Sequence, residues 1–299
     1  MYVLTIVSSN TDENLWQGIT LQLQQLVRKY SGCDLELNWL APNRAADVIL
    51  TSSNKALHKA LEQLLEVQQW PVDFLLQLAA NRRKRLLVAD MEATIIGQEM
   101  LDEMGRAVDK EQQIVEITRR AMAGELEFGT SLAQRSALFA GHSEFMLAKL
   151  TEHISLNPGA LTLVKTLSAA GVYCALVTGG FDIFARYVQK ICGFSACFAN
   201  QLEIIEHQIS GELAGVVIDA KGKKNITETL MGELQLSADQ VCAVGDGAND
   251  YQMLQLAGLA SGYYPKEVLI PVLDLQIRHT DLETLLFVQG YTQSEFVYA

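Results

Sequence analysis

Two pairs of closely spaced carboxylates are the residues best suited to chemistry in this chain. Asp90 and Glu92 stand one residue apart in Leu86-Leu87-Val88-Ala89-Asp90-Met91-Glu92-Ala93-Thr94, and Asp246 and Asp250 share Val244-Gly245-Asp246-Gly247-Ala248-Asn249-Asp250. Each pair follows a short apolar run, and a third such run ends at Thr178-Gly179-Gly180. One acid at a strand end is commonly just a cap for the next helix, and Thr-Gly-Gly alone is most often an ordinary turn. Together they describe phosphoryl transfer, which needs an in-line nucleophile, positive partners for the phosphoryl oxygens and a proton for the leaving group. Asp90 suits the nucleophile, since aspartate forms covalent phosphate intermediates. Glu92 suits proton delivery and later activation of water. Asp246 and Asp250 offer the hard oxygen ligands that Mg²⁺ prefers. The Thr178 hydroxyl and the adjacent amides suit phosphate oxygens, with glycine allowing close backbone approach. A buried lysine touching both Asp90 and phosphate would complete the set, but spacing does not choose among Lys221, Lys223 and Lys224.

These residues need strands that end together. Leu86 to Ala89, Val172 to Val177 and Val241 to Val244 read as buried strands, with Cys197-Phe198-Ala199 and Val216 to Ile218 as further strand segments. Helices read from Pro158-Gly159 to about Ala170, over Phe181 to Ile191 and over Lys221 to Glu233. That alternation argues for an α/β fold with a parallel sheet covered by helices, whose ligands sit beyond the strand ends. The stretch at about 98–157 is too long for a simple connection, and helices over Glu99 to Met104, Lys110 to Met122 and Ser131 to Phe139 make it an inserted helical cap. Residues 1–80 read as a separate module: strand Val3 to Val7, helix from Asn10–Glu13 to about Lys29 stopped at Ser31-Gly32, strands Leu35 to Leu40 and Ala46 to Leu50, helix Asn54 to Gln68, strand Val72 to Leu78. The order β-α-β-β-α-β is ferredoxin-like. The second domain then covers 84–299.

Composition narrows the partners. A net charge of −12, from 23 basic and 35 acidic residues, gives no footprint for nucleic acid. The one basic run, Arg82-Arg83-Lys84-Arg85, reads as a solvated linker or strand edge. Cys33, Cys174, Cys192, Cys197 and Cys242 form no CxxC pair and adjoin apolar residues, as buried thiols in a reducing compartment do. With neither a leader pattern nor a long apolar stretch, a cytoplasmic protein without membrane contact is expected. The histidines, at 58, 142, 153, 207 and 279, form no metal-ligand pattern.

The ordered set Asp90-Met91-Glu92-Ala93-Thr94, Thr178-Gly179-Gly180-Phe181, Lys223 and Gly245-Asp246-Gly247-Ala248-Asn249-Asp250 resembles the motifs of the haloacid dehalogenase-like hydrolases. From about 84 to 290 the chain looks more closely like the bacterial phosphoserine phosphatases, with Glu99, Ala121-Met122, Gly124-Glu125, Phe128, Leu132, Arg135, Asn157-Pro158-Gly159, Ala199-Asn200 and Ala257-Gly258-Leu259 in that group's order. The first module resembles the ACT-like module that many members carry. The resemblance implies a Rossmann-like core with a small helical cap and an Mg²⁺-dependent hydrolysis of O-phospho-L-serine, the last step of serine biosynthesis. Asp90 would be the phosphoaspartyl nucleophile and Glu92 the acid and base. Mg²⁺ would take Asp90, the Glu92 carbonyl, Asp246 and Asp250. Thr178, Gly179 and Lys223 would hold phosphate, with Asn249 in support. Glu99 would meet the substrate ammonium and Arg135 its carboxylate, while Met122 and Phe128 would shape the pocket. A homodimer is implied.

Three positions depart from the usual pattern. Glu92 and Ala93 stand where aspartate and a small polar residue are usual, and Gly262-Tyr263-Tyr264-Pro265-Lys266 replaces a His-Ala-Lys-Pro-like turn. A related group that transfers phosphate from phosphoserine to homoserine also has the longer acid. Transfer to homoserine, or a non-catalytic amino-acid sensor on this scaffold, therefore stands beside hydrolysis.

Overall fold

A computed structural model describes residues 1–31, 35–50 and 55–298, with Met122 described by its backbone only. Gly32 and Cys33, and the helix start read at Asn54, lie outside the described residues.

The first six elements are β1 (Tyr2–Ser8), α1 (Glu13–Ser31), β2 (Leu37–Ala41), β3 (Ala45–Leu50), α2 (Lys55–Val67) and β4 (Val72–Leu78). They form an antiparallel sheet of order β2-β3-β1-β4. Strand alternation gives it two apolar faces. Leu4, Ile6, Val48 and Val72 pack with Trp16, Leu23 and Leu61 of the helices. Val7, Ala45 and Leu75 instead join the core of the larger sheet.

Polar ties lock that second face. The Asp73 carboxylate accepts the backbone N–H groups of Arg278, His279 and Thr280 and the Thr280 hydroxyl. Arg82 pairs with Asp47 at 2.7 Å, and the Lys84 ammonium, buried, donates to the carbonyls of Asn81 and Asp239. The basic run is thus a clasp and not a solvated linker: an ion that gains carboxylate and carbonyl partners can leave water.

The larger part begins with β5 (Leu86–Ala89), followed by four helices, α3 (Met100–Ala107), α4 (Glu111–Met122), α5 (Phe128–Ala137) and α6 (Phe145–Thr151). The last of these was not read from the sequence. Then come α7 (Ala160–Ala169), β6 (Tyr173–Phe181), α8 (Asp182–Cys192), β7 (Ala196–Ile205), β8 (Gln208–Ala214), α9 (Ala220–Glu233), β9 (Val241–Gly245), α10 (Tyr251–Leu254), β10 (Leu259–Tyr263), β11 (Leu275–Ile277) and α11 (Thr284–Val288). The seven strands run in the order β11-β10-β9-β5-β6-β7-β8. All neighbours are parallel except β8, which folds back antiparallel on β7. The sheet is therefore mixed, not wholly parallel. Val216 to Ile218, read as a strand, belongs to none; Val216 is 92% exposed and has no ladder neighbour.

β5 is buried on both faces, which is why its sequence is a continuous apolar run. Leu87 and Ala89 face the core beneath α7 and α8, and Leu86 and Val88 face the opposite layer with Leu230 and Met253. From β5 the chain runs to β6 on one side and later returns to β9 on the other. The crevice between β5 and β9 is thus a topological switch point, where open α/β sheets bind ligands. The four described cysteines, Cys174, Cys192, Cys197 and Cys242, are free thiols. Among the described residues, no helix is long and apolar enough to cross a membrane.

Candidate active site

Asp90 is the first residue past β5, and its backbone N–H still donates to the Val244 carbonyl of β9. The chain then coils tightly. The N–H groups of Thr94, Ile95 and Ile96 all point to the Met91 carbonyl, and Ala93 takes a left-handed φ of 53°. That turn brings Glu92 beneath α3, where its Oε1 accepts the Met100 backbone N–H at 2.9 Å. A Cβ on Gly180 would lie 2.9 Å from the Glu92 carboxylate, so glycine there makes room for the longer acid. A Cβ on Gly179 would lie 3.0 Å from the Phe128 ring, which closes over this loop from the cap.

Lys223 resolves the choice among three lysines. Asp219 caps α9, its side chain accepting the Gly222 N–H at 2.8 Å, and this fixes the first helical turn. Lys223 then points inward, fully buried, with its ammonium 2.6 Å from Asp90 Oδ1 and 2.8 Å from Asp250 Oδ1. Lys221 is exposed, and Lys224 pairs with Glu228 on the helix surface at 3.5 Å.

Asp90, Asp246 and Asp250 are all buried, with one ligand oxygen from each lying within 4.8 Å of the others. Burial and the Asp250 charge push the Asp90 carboxyl up to about 7, against the pull of Lys223. Burial also tends to lower the Lys223 pKa, but Asp250 and Asp90 outweigh it and raise the ammonium above its usual range. Asp250 is nearly saturated, its Oδ2 accepting the N–H groups of Asp246 and Gly247 at 3.2 and 3.3 Å. Among the described residues, no hydrogen bond reaches Asp90 Oδ2 or Asp246 Oδ1. Buried hard oxygens with excess negative charge are a fitting donor set for a small divalent cation.

Above the carboxylates lies a cavity of about 380 Å³ roofed by the helical layer. Asp90, Glu92, Thr178, Gly179, Asp246 and Asn249 line its floor, and Glu99, Phe128 and Arg135 line it from the cap side. The structure thus gathers the residues singled out from the sequence, with Lys223 and Asp250 directly behind Asp90; the Met122 side chain is outside the described residues. Burial and neighbouring Glu99 push Glu92 up to about 8, which favours its protonated form. Glu99 is itself raised, by burial first and then by Asp246. Arg135 is lowered by burial. Among the described residues, neither Glu99, which is exposed, nor Arg135, which is half-buried, forms an ion pair.

Two residues went unassigned in the sequence reading. Lys266 lines the cavity and reaches Asp246 Oδ2 at 2.8 Å; the sequence marked it only as the last residue of the turn that departs from the family's pattern. Asn200, buried at the middle of β7, donates to the Gly179 carbonyl at 2.8 Å and accepts the Ile218 N–H at 2.7 Å. It ties the Thr178–Gly180 end of β6 to the segment leading into α9.

A buried carboxylate at a switch point, with a lysine behind it and a helical roof above, is the geometry to set beside known proteins. The haloacid dehalogenase-like hydrolase model matches residues 46–258. The chain is 38% identical over 201 residues to the phosphoserine phosphatase of Idiomarina loihiensis, an alignment covering 67% of this chain and 91% of that one. It is 37% identical over 208 residues to the phosphoserine phosphatase of Archaeoglobus fulgidus, covering 70% of this chain and 60% of the relative's length. Among solved structures, a haloacid dehalogenase-family hydrolase of Salmonella enterica serovar Typhi superposes with a TM-score of 0.83 at 25% identity, covering 97% of this chain and 99% of that one. A phospho-aspartyl intermediate analogue of a phosphoserine phosphatase superposes with a TM-score of 0.63 at 31% identity, covering 68% and 98%. The chain belongs to the haloacid dehalogenase-like hydrolase family, and it spans 60% and 53% of the length of the first two relatives it matches.

Proposed function

We propose that the protein hydrolyses O-phospho-L-serine to L-serine and phosphate through a phosphoaspartate on Asp90, with Mg²⁺ as cofactor. One observation carries the substrate: Glu99 and Arg135, of opposite charge and without ion-pair partners among the described residues, line the same cavity as Asp90. An amino acid supplies both missing partners, its ammonium to Glu99 and its carboxylate to the planar guanidinium of Arg135.

In this reading Asp90 attacks phosphorus in line while the Thr178 hydroxyl, the Gly179 N–H and the Lys223 ammonium hold the phosphoryl oxygens. Asp90, the Glu92 carbonyl and Asp246 would hold Mg²⁺, with Asp250 directly or through water and Asn249 supporting the loop around it. Once bound, the ion supplies positive charge that offsets repulsion between the carboxylate and the phosphate. Glu92, in its protonated form, gives its proton to the departing serine oxygen. As a carboxylate it then takes one from the water that attacks the phosphoaspartate. Its hydrogen bond to the start of α3 places this acid against the cap. Phe128 over Gly179 excludes water while the phosphoenzyme forms.

We also infer a division into a ferredoxin-like, ACT-like module over 1–80 and a phosphatase domain over 84–299, with the cap at about 98–157. The sheet order β2-β3-β1-β4 supports the first of these. A cytoplasmic homodimer is the assembly expected with it.

The test is phosphate release from O-phospho-L-serine, with Mg²⁺ and with a chelator, beside O-phosphoethanolamine and p-nitrophenyl phosphate. The expected result is Mg²⁺-dependent release with kcat/KM for phosphoserine at least about 100-fold above p-nitrophenyl phosphate, which lacks both charged groups, and about tenfold above O-phosphoethanolamine, which lacks only the carboxylate. Equal rates on all three would refute the amino-acid reading.

A further inference from the structure

Ser131 and Thr118 are two hydroxyls that the site has not yet used. Ser131 opens the second turn of α5, fully buried, and among the described residues its Oγ has no hydrogen-bond partner. Thr118 lies on α4, and its Oγ1 is likewise buried and unpartnered. Both line the cavity that holds Glu99 and Arg135. Buried hydroxyls are nearly always satisfied; of the five without a partner among the described residues, these two belong to residues lining one cavity, which marks a place where a ligand could complete the hydrogen bonding.

The geometry around Ser131 indicates which part of the ligand. Ser131 and Arg135 stand four residues apart on α5, so their side chains share a face. The Arg135 Nε donates to the Ser131 carbonyl at 3.3 Å, which holds the guanidinium stem against this turn. The Ser131 N–H is already committed to the Glu127 carbonyl at 2.9 Å, leaving the hydroxyl as the free donor beside the guanidinium. A hydroxyl next to an arginine in a cavity suits an anionic acceptor.

We propose that Ser131, with Thr118 as its companion, is a specificity-determining residue that donates to the α-carboxylate of the substrate, extending the Arg135 contact. This rests on the phosphoserine reading given above. Because a site built to hydrogen-bond a group leaves its own polar atoms unpaired when that group is missing, the two hydroxyls also select against substrates without a carboxylate.

The experiment compares Ser131→Ala and Thr118→Val with the wild type on O-phospho-L-serine and on O-phosphoethanolamine, which keeps the ammonium and lacks the carboxylate. Thermal melting is recorded alongside. Ser131→Ala is expected to raise KM for phosphoserine about tenfold, the loss of one hydrogen bond to a charged group, with kcat little changed. KM for phosphoethanolamine is expected to stay put. Thr118→Val should act in the same direction, and neither variant should lower the melting temperature, since each removes an unsatisfied buried hydroxyl. Unchanged KM for phosphoserine in both variants would overturn the inference, as would parallel rises for the two substrates. A fall in melting temperature with unchanged discrimination would assign the hydroxyls to the cap's own folding instead. Absence of phosphoserine turnover in the wild type would overturn the substrate reading itself, and this inference with it.

Discussion

Asp90→Asn is expected to lower kcat on phosphoserine by more than about 10⁴-fold, the scale seen when a covalent nucleophile is removed. The amide has the shape of the carboxylate and keeps an oxygen toward Lys223, so the change strikes nucleophilicity and leaves packing nearly intact. Stability is expected to move little in the absence of metal. Burial and the Asp250 charge already hold the Asp90 carboxyl up at about 7, so its anion is an expensive group in the metal-free protein. A neutral amide relieves that repulsion while Lys223 keeps Asp250 as partner at 2.8 Å. Steady-state kinetics and a melting curve check both parts. Activity within tenfold of the wild type would remove Asp90 from the nucleophile's role.

The second large effect is on stability as well as rate. Lys223→Met removes the one ammonium that touches both Asp90 and Asp250, all three groups being buried. Methionine fills the volume but leaves two carboxylates facing each other away from water. Breaking a buried ion pair from one side costs about 3–5 kcal/mol, because the remaining charge is uncompensated. For a domain of this size that is a fall of about 10 °C in melting temperature. Loss of a positive partner for the phosphoryl group should also cut kcat by about 10³-fold. Added Mg²⁺ is expected to recover part of the stability and little of the rate, since it can neutralise the carboxylates without standing where the ammonium stood. A melting temperature unchanged from the wild type would mean that Lys223 does not balance the cluster.

What the sequence made legible follows from which constraints are local. Asp90 and Asp246 were readable because a strand in the middle of a parallel sheet is buried on both faces, and its unbroken apolar run makes the first carboxylate after it conspicuous. The first module was readable for the complementary reason: its strands and helices switch periodicity cleanly at short turns. Lys223 was not separable from its neighbours, since only the Asp219 cap and the docking of α9 decide which lysine turns inward. Lys266 meets Asp246 across a loop that follows β10, a contact between residues 20 positions apart that no spacing rule anticipates. The β7–β8 hairpin escaped because its turn is Glu206-His207, both at positive φ, where glycine or asparagine would have announced it. Val216 to Ile218 misled for the opposite reason: β-branched residues favour strands, but no neighbouring strand offers them a ladder. The clasp at Arg82 and Lys84 depends on Asp47 and Asp239, distant partners that turn an apparently solvated basic run into part of the structure.

The most direct test of the central claim is to trap the covalent intermediate. Wild-type protein mixed with O-phospho-L-serine and Mg²⁺ would be quenched in acid within milliseconds, and the phosphorylated peptide mapped by mass spectrometry. The expected result is a hydroxylamine-labile phosphoryl group on Asp90, formed at least as fast as phosphate is released. Phosphate release without any covalent species, or a phosphoryl group on another residue, would contradict the account.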